Sequence, residues 1–250
     1  MTDVLLLPGV VLPASLAYSA LLDALPEGTN AVAKDLELYA ADEPPAGYTL
    51  DAEGEGILRA AAEAGFERFH LAGYSAGGAA ALRFATLQPE RLLSLTLLEA
   101  AWAGNQRRTP AEQEVQAEFE RAMALPTEER MRQFVRLQLA PGVEPSPPPP
   151  GPPPPWMASR PAGVAAVMAA FAACELDLAP VIRAQLPVLY VLGGRSNPAW
   201  FAAIADRLAA ALPDFTLEVF EDRHHFDPPH RAESERLART LVAFWSRDGL

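Results

Sequence analysis

The sequence predicts an α/β fold in which a mostly parallel central sheet is flanked by helices and carries a helical insertion. Three observations predict it. Short, nearly continuous apolar runs recur along the chain, as strands buried on both faces of a parallel sheet require. They alternate with stretches whose apolar residues recur at helical spacing. Between residues 101 and 180 that alternation stops, leaving helical signals without a convincing strand. A chain of 250 residues, 50% hydrophobic, supplies apolar surface for one substantial core and would be cramped as two independent ones.

Residues 4–7, Val-Leu-Leu-Leu, are the first expected strand and residues 31–33 the second. Asp51 precedes Ile57, Leu58 and Ala61, the apolar positions of a helix that Gly65 ends, because glycine takes the left-handed turn of a helix C-cap at little cost. Residues 69–72 form a third strand, with the helix formers of residues 79–84 close behind it. Leu92–Leu98 is a fourth. Pro110 opens a helix expected through Ala124, and Thr127-Glu128-Glu129 opens another expected through Leu139. Nine of residues 145–155 are proline, which fixes φ and removes donors, so only polyproline II or irregular loop fits there. Residues 162–173 are helical again. Residues 188–192 resume the sheet, Phe201, Ile204, Leu208 and Leu212 mark a helix, and Phe215–Phe220 alternates in the way of a strand nearer an edge. Leu237, Leu241, Phe244 and Trp245 mark the last helix. The division is a core of residues 1–100 and 181–250 with a Pro-rich insertion over 101–180, which reads as a lid; the proline run within it reads equally as a rigid, solvated spacer.

A formal net charge of -12, from 20 Lys and Arg against 32 Asp and Glu, argues against nucleic acid and anionic membranes as partners. Met1-Thr2-Asp3 lacks a basic region and the apolar run at 4–7 is too short for a signal peptide or a span, so a cytoplasmic setting is expected. Cys174, alone of its kind, excludes an intrachain disulfide and a Cys-rich metal site; between Phe171 and Leu176 it is expected as a small core residue.

Gly73-Tyr74-Ser75-Ala76-Gly77-Gly78 lies between an expected strand and an expected helix. In that context G-x-S-x-G forces a sharp turn that exposes the serine hydroxyl at a helix N-terminus, where outward backbone N–H groups favour developing negative charge. A serine nucleophile needs a base within hydrogen-bond reach. Of the four histidines, His70 falls inside a strand and is expected to be structural, and His230, opening the last helix, is expected to be solvated or capping. His224 and His225 follow the last strand, at the strand end where ligands meet an open parallel sheet, so one of this pair is the natural base.

In these ordered features the chain resembles the α/β-hydrolase superfamily over nearly its whole length. Leu7-Pro8-Gly9-Val10 follows an early strand, the turn at Ser75 follows, a helical insertion comes after Leu98, a Pro-Val-Leu-Tyr-Val-Leu-Gly strand stands at 187–193, and a histidine loop precedes the terminal helix. The resemblance implies Ser75 as nucleophile and His225, with Phe226 after it, as base in preference to His224. It implies an oxyanion hole from the backbone N–H groups of Val10 and Ala76. Two departures stand out: Pro8-Gly9 replaces the family's usual His-Gly, and, as the first expected strand resembles the family's third, the leading hairpin is expected to be absent. Most relatives place the acid just beyond the strand at 187–193, where this chain has Gly193-Gly194-Arg195-Ser196-Asn197-Pro198 and no carboxylate. Glu99, ending the strand after the Ser75 helix, is where some members carry it, and it is the expected acid.

The activity implied is that of a serine hydrolase acting on an ester, thioester or lactone through an acyl-enzyme, with no metal or organic cofactor. C–C bond hydrolysis or a lyase reaction uses the same constellation, and a non-catalytic binding protein is the rival from another class. Trp102, Phe119, Trp156 and Phe171 within the insertion point to an uncharged, mostly apolar small-molecule substrate.

Overall fold

Alternate residues of strand β1 (Thr2–Leu7) leave the sheet on opposite faces: Leu5 and Leu7 enter one hydrophobic cluster, Val4 and Leu6 another. The same division runs through β3 (Phe69–Tyr74), β4 (Leu92–Leu98) and β5 (Val188–Gly193), which is why these strands read as nearly continuous apolar runs. With β2 (Thr29–Ala33) and β6 (Phe215–Phe220) they make one parallel sheet in the order β2-β1-β3-β4-β5-β6. The computed structural model describes residues 1–145, 147 and 151–247. β6 lies at an edge, which accounts for its half-buried, alternating pattern.

Helix Leu50–Ala64 ends where Gly65 takes φ +75°, its N–H reaching the carbonyls of Ala61 and Ala62. Helix Ala76–Leu87 is buried along most of its length, because its alanines and glycines let it lie close against the sheet. Helices Ala203–Ala211 and Ser234–Trp245 complete the two covering layers, the first on the cluster of Leu5 and Leu7, the second on that of Val4 and Leu6.

Between β4 and β5 stand helices Pro110–Met123, Thr127–Arg136 and Arg160–Ala173 and the short Ala179–Arg183, with no strand among the described residues. Thr109 and Glu112 form a reciprocal capping box at the first of them. The second stops at Arg136, short of the expected Leu139. Pro141 disfavours helix at the residue before it, and Leu139 bridges to Ser196 instead. The expected proline loop at 145–155 lies partly outside the described residues; Pro155 opens a 3-10 turn, Pro155–Ser159. Cys174 departs from its expected core position: it is the half-buried C-cap of Arg160–Ala173, where the chain has already left the packed helix. Among the described residues no helix is long and apolar enough to cross a membrane.

Candidate active site

The strand order reverses between β1 and β3, since the chain builds outward from β1 to β2 and then from β3 the other way. The loops leaving these two neighbours diverge and open a crevice at the carboxyl ends of the strands. Ser75 stands there, one residue beyond β3, with φ +54° and ψ −117°. That conformation is strained for a residue with a side chain. It is held by Ser75 N–H to Leu98 O at 3.0 Å and Ala101 N–H to Ser75 O at 2.9 Å. The turn needs its glycines: a Cβ on Gly73 would run into the Gly77 carbonyl, and one on Gly77 into that of Pro8.

The histidine loop after β6 brings His225 Nε2 to 3.0 Å from Ser75 Oγ. On its other side His225 Nδ1 lies 3.0 Å from Glu99 Oε2. The second oxygen, Glu99 Oε1, accepts the Gly193 N–H at 2.8 Å, so both carboxylate oxygens are occupied. Ser75, His225 and Glu99 are 4%, 2% and 2% exposed, so water barely screens these contacts. The imidazole is stacked on Phe201 at 4.4 Å and tilted against Tyr74 at 4.9 Å. Burial and then the Glu99 charge raise Tyr74 well above the ordinary phenol pKa, keeping its hydroxyl as the donor to the His225 carbonyl. A hydroxyl, an imidazole and a carboxylate in this order can move a proton off the hydroxyl while the carboxylate steadies the imidazolium.

His224 lies off this line, with Nδ1 accepting the Phe226 N–H at 3.2 Å. Asn197 caps the turn that follows it, its Oδ1 accepting from Ala199 N–H at 3.0 Å and its Nδ2 donating to Leu137 O. Ser196 Oγ has no hydrogen-bond partner among the described residues. Asp227 is engaged by Arg223 at 2.6 Å.

The loop carrying Val10 is folded onto the turn by Gly77 N–H donating to Pro8 O at 3.1 Å. Gly9 leaves no room for a Cβ, which would sit 2.9 Å from the Tyr74 ring. Among the described residues neither the Val10 nor the Ala76 N–H has an intramolecular acceptor. The carbonyls of this loop are held from outside: Tyr39 Oη donates to Val10 O at 2.6 Å, and Arg160 Nε donates to Val11 O at 2.8 Å while its guanidinium lies 3.8 Å over the Tyr39 ring.

Tyr39, Tyr74 and Arg160 were silent in the sequence, because each acts across a contact between distant segments. His230 corrects an expectation. Rather than opening the last helix in solvent, it is fully buried in the short helix Pro229–Ala232 between Tyr18 and Tyr74, at 5.0 and 4.6 Å. Burial pushes its pKa down to about 3, and neither ring nitrogen has a partner among the described residues. His70 packs inside the sheet on Trp245, with Nδ1 2.8 Å from Ser94 Oγ.

Two cavities meet at Ser75. An open one, lined by His225, Phe226, Pro228 and Leu12, gives about 350 Å³ to the centre of a water-sized molecule. A much smaller and somewhat more enclosed one beneath the insertion, lined by Trp102, Phe119, Phe171 and Trp200, gives about 20 Å³. Trp156 lines neither and lies 5.1 Å from the Arg160 guanidinium instead, a departure from its expected place with Trp102, Phe119 and Phe171. Among the described residues no group of three or more His, Cys, Asp or Glu side chains is arranged to hold a metal ion.

The chain matches the model of the alpha/beta hydrolase family over residues 4–240. No curated protein matches it significantly in sequence. Its fold is similar to that of an esterase from Exiguobacterium antarcticum, at 20% identity and TM-score 0.72, covering 98% of this chain and 92% of that one. It is similar to a thermophilic esterase from Thermogutta terrifontis, at 20% identity and TM-score 0.68 over 98% and 89% of the two chains. A naproxen esterase from Bacillus subtilis gives 17% identity and TM-score 0.63 over 98% and 84%. At these identities the likeness concerns the fold.

Proposed function

The chain belongs to the alpha/beta hydrolase family, and from that membership we propose that it is a serine hydrolase cleaving an uncharged, mostly apolar carboxylic ester, thioester or lactone through an acyl-enzyme. The observation that carries the reading is the unbroken line Ser75 Oγ, His225, Glu99, with both links at 3.0 Å in a buried site. Ser75 Oγ attacks the carbonyl carbon as His225 Nε2 takes its proton. The free N–H groups of Val10 and Ala76 receive the oxyanion. Collapse breaks the bond to the leaving oxygen, or sulfur in a thioester, which takes the proton from His225. Water then attacks the acyl-serine through the same histidine and releases the acid. Glu99 keeps His225 in the right tautomer and stabilises its charged form. The helical insertion at 101–180 acts as a lid, a role supported by the insertion residues that wall the enclosed cavity.

Labelling by a fluorophosphonate tests the reading. Wild-type protein is expected to be labelled at Ser75, and Ser75→Ala, with the fold checked by circular dichroism, to lose both labelling and ester turnover. Natively folded wild type that resists a small fluorophosphonate and turns over no activated ester would overturn it and favour a binding protein.

A further inference from the structure

We infer that the acyl group of the substrate is short and that the bulk of the molecule lies in its alcohol, an inference that rests on the acyl-enzyme reading. Ser75 divides two unequal spaces, and the direction of proton transfer decides which half of an ester enters each. His225 Nε2 must hand its proton to the leaving oxygen, so the alcohol lies on the side that His225 lines, which is the open cavity of about 350 Å³. The acyl group then points into the enclosed cavity, whose lining includes Ala76 and Val10 but no histidine. The reverse placement would put the leaving oxygen away from its proton donor.

Size sets the chemistry. The enclosed space, about 20 Å³ for the centre of a water-sized molecule, is a small fraction of the roughly 350 Å³ on the other side of Ser75, so it takes a short acyl chain and not a long one. Beside Gln116 and Met168 its walls are packed aromatic rings. Trp102 stacks on Phe171 with ring centroids 5.8 Å apart and planes within 6°, and its Nε1 donates to Asn105 Oδ1 at 2.9 Å. Trp200 Nε1 donates to Ala101 O at 3.0 Å, and Phe119 meets the Trp200 ring edge-on at 5.5 Å. Room for a long chain on the sides of Trp102 and Trp200 would require moving indoles that are hydrogen-bonded in place. The open cavity, with Leu12, Phe226 and Pro228 beside Gln138, Asp227 and Arg231 on its walls, has room for a bulky alcohol.

The test is kcat/KM on p-nitrophenyl acetate, butyrate and octanoate, which share one aromatic alcohol and differ only in the acyl chain. A methylene against a fitted apolar pocket is worth roughly 10- to 200-fold, so wild type is expected to prefer acetate and butyrate to octanoate at least about tenfold. Met168→Ala and, separately, Phe119→Ala enlarge the enclosed cavity and are expected to narrow that preference by raising turnover of octanoate; the half-buried Met168 serves where loss of the buried Phe119 unsettles the fold. Turnover that is level across the series or rises toward octanoate overturns this inference and leaves the serine hydrolase reading standing. Failure on every ester overturns both.

Discussion

Glu99 holds φ +46°, a left-handed angle that costs a non-glycine residue about 1–3 kcal/mol. The strain is sustained by its N–H on Val191 O at 3.0 Å and by both carboxylate oxygens, one on Gly193 N–H and one on His225. At the end of β4 this turn aims the carboxylate across the tip of β5 toward the histidine loop, which compensates for the lack of a carboxylate at Ser196 or Asn197. Glu99→Gln keeps the shape and removes the charge, and kcat on a minimal ester is expected to fall by up to about 10⁴. Asn197→Ala should instead cost about 0.5–2 kcal/mol of stability through the lost cap, with turnover little changed. Near-wild-type kcat in Glu99→Gln would remove it from the mechanism. Ser75 was legible because the backbone demand of its turn is written into neighbouring glycines; Glu99 was legible only as the carboxylate at a strand end, and its strained φ had no sequence signal.

At the scale of elements, the insertion is tied to the core by two buried charged contacts. Glu112, fully buried, pairs with Arg207 of helix Ala203–Ala211 at 2.9 Å, and Arg160, at the start of Arg160–Ala173, reaches the loop of Val10. The second contact is pressed close by Gly163, where a Cβ would run into the Tyr39 hydroxyl. Arg160 is therefore a positioning residue: it steadies the carbonyls of the loop whose N–H groups are proposed to hold the oxyanion. Loss of an oxyanion donor costs about 10²–10³ in kcat, and mispositioning one is milder. Arg160→Met is expected to lower kcat on p-nitrophenyl acetate about tenfold or more, toward the 10² of a roughly 1 Å misplacement, with KM little changed. Loss confined to KM, or to thermal stability with kcat intact, would make the contact structural only. The strands were readable because burial on both faces leaves a mostly apolar run, broken by small or buried polar residues such as His70, Ser94 and Thr96. The insertion was readable as helices, but its docking was not: the aim of Arg160 and the turn at Leu139 depend on surfaces supplied by β1 and β5 loops far away in sequence.

Across the whole molecule the two covering layers are unequal. The face packed by Ser234–Trp245 gathers polar groups with little to bind: both nitrogens of His230 and Trp245 Nε1 have no partner among the described residues, and His70 is stacked beneath Trp245. An unpaired buried polar group costs about 1–3 kcal/mol, and the histidines of this layer are the ones that acid attacks. Burial lowers the pKa of His70 to about 4 and of His230 to about 3, from an ordinary 6.5. Between those values and 6.5 the unfolded chain binds protons that the folded chain refuses. Stability from this source is thus complete above pH 6.5 and is lost progressively as pH falls toward 3. Glu53 works against it, because desolvation raises its pKa and protonation relieves the cost of its buried charge. Comparing a histidine variant with wild type cancels the Glu53 contribution. His230→Phe keeps a ring between Tyr18 and Tyr74 and has no site to protonate, so its unfolding free energy in urea should fall less between pH 7.5 and 4.5 than that of wild type, whatever its value at pH 7.5. Equal falls in the two proteins would mean that His230 is protonated or relieved in the folded state, and that the acid sensitivity of this layer lies elsewhere.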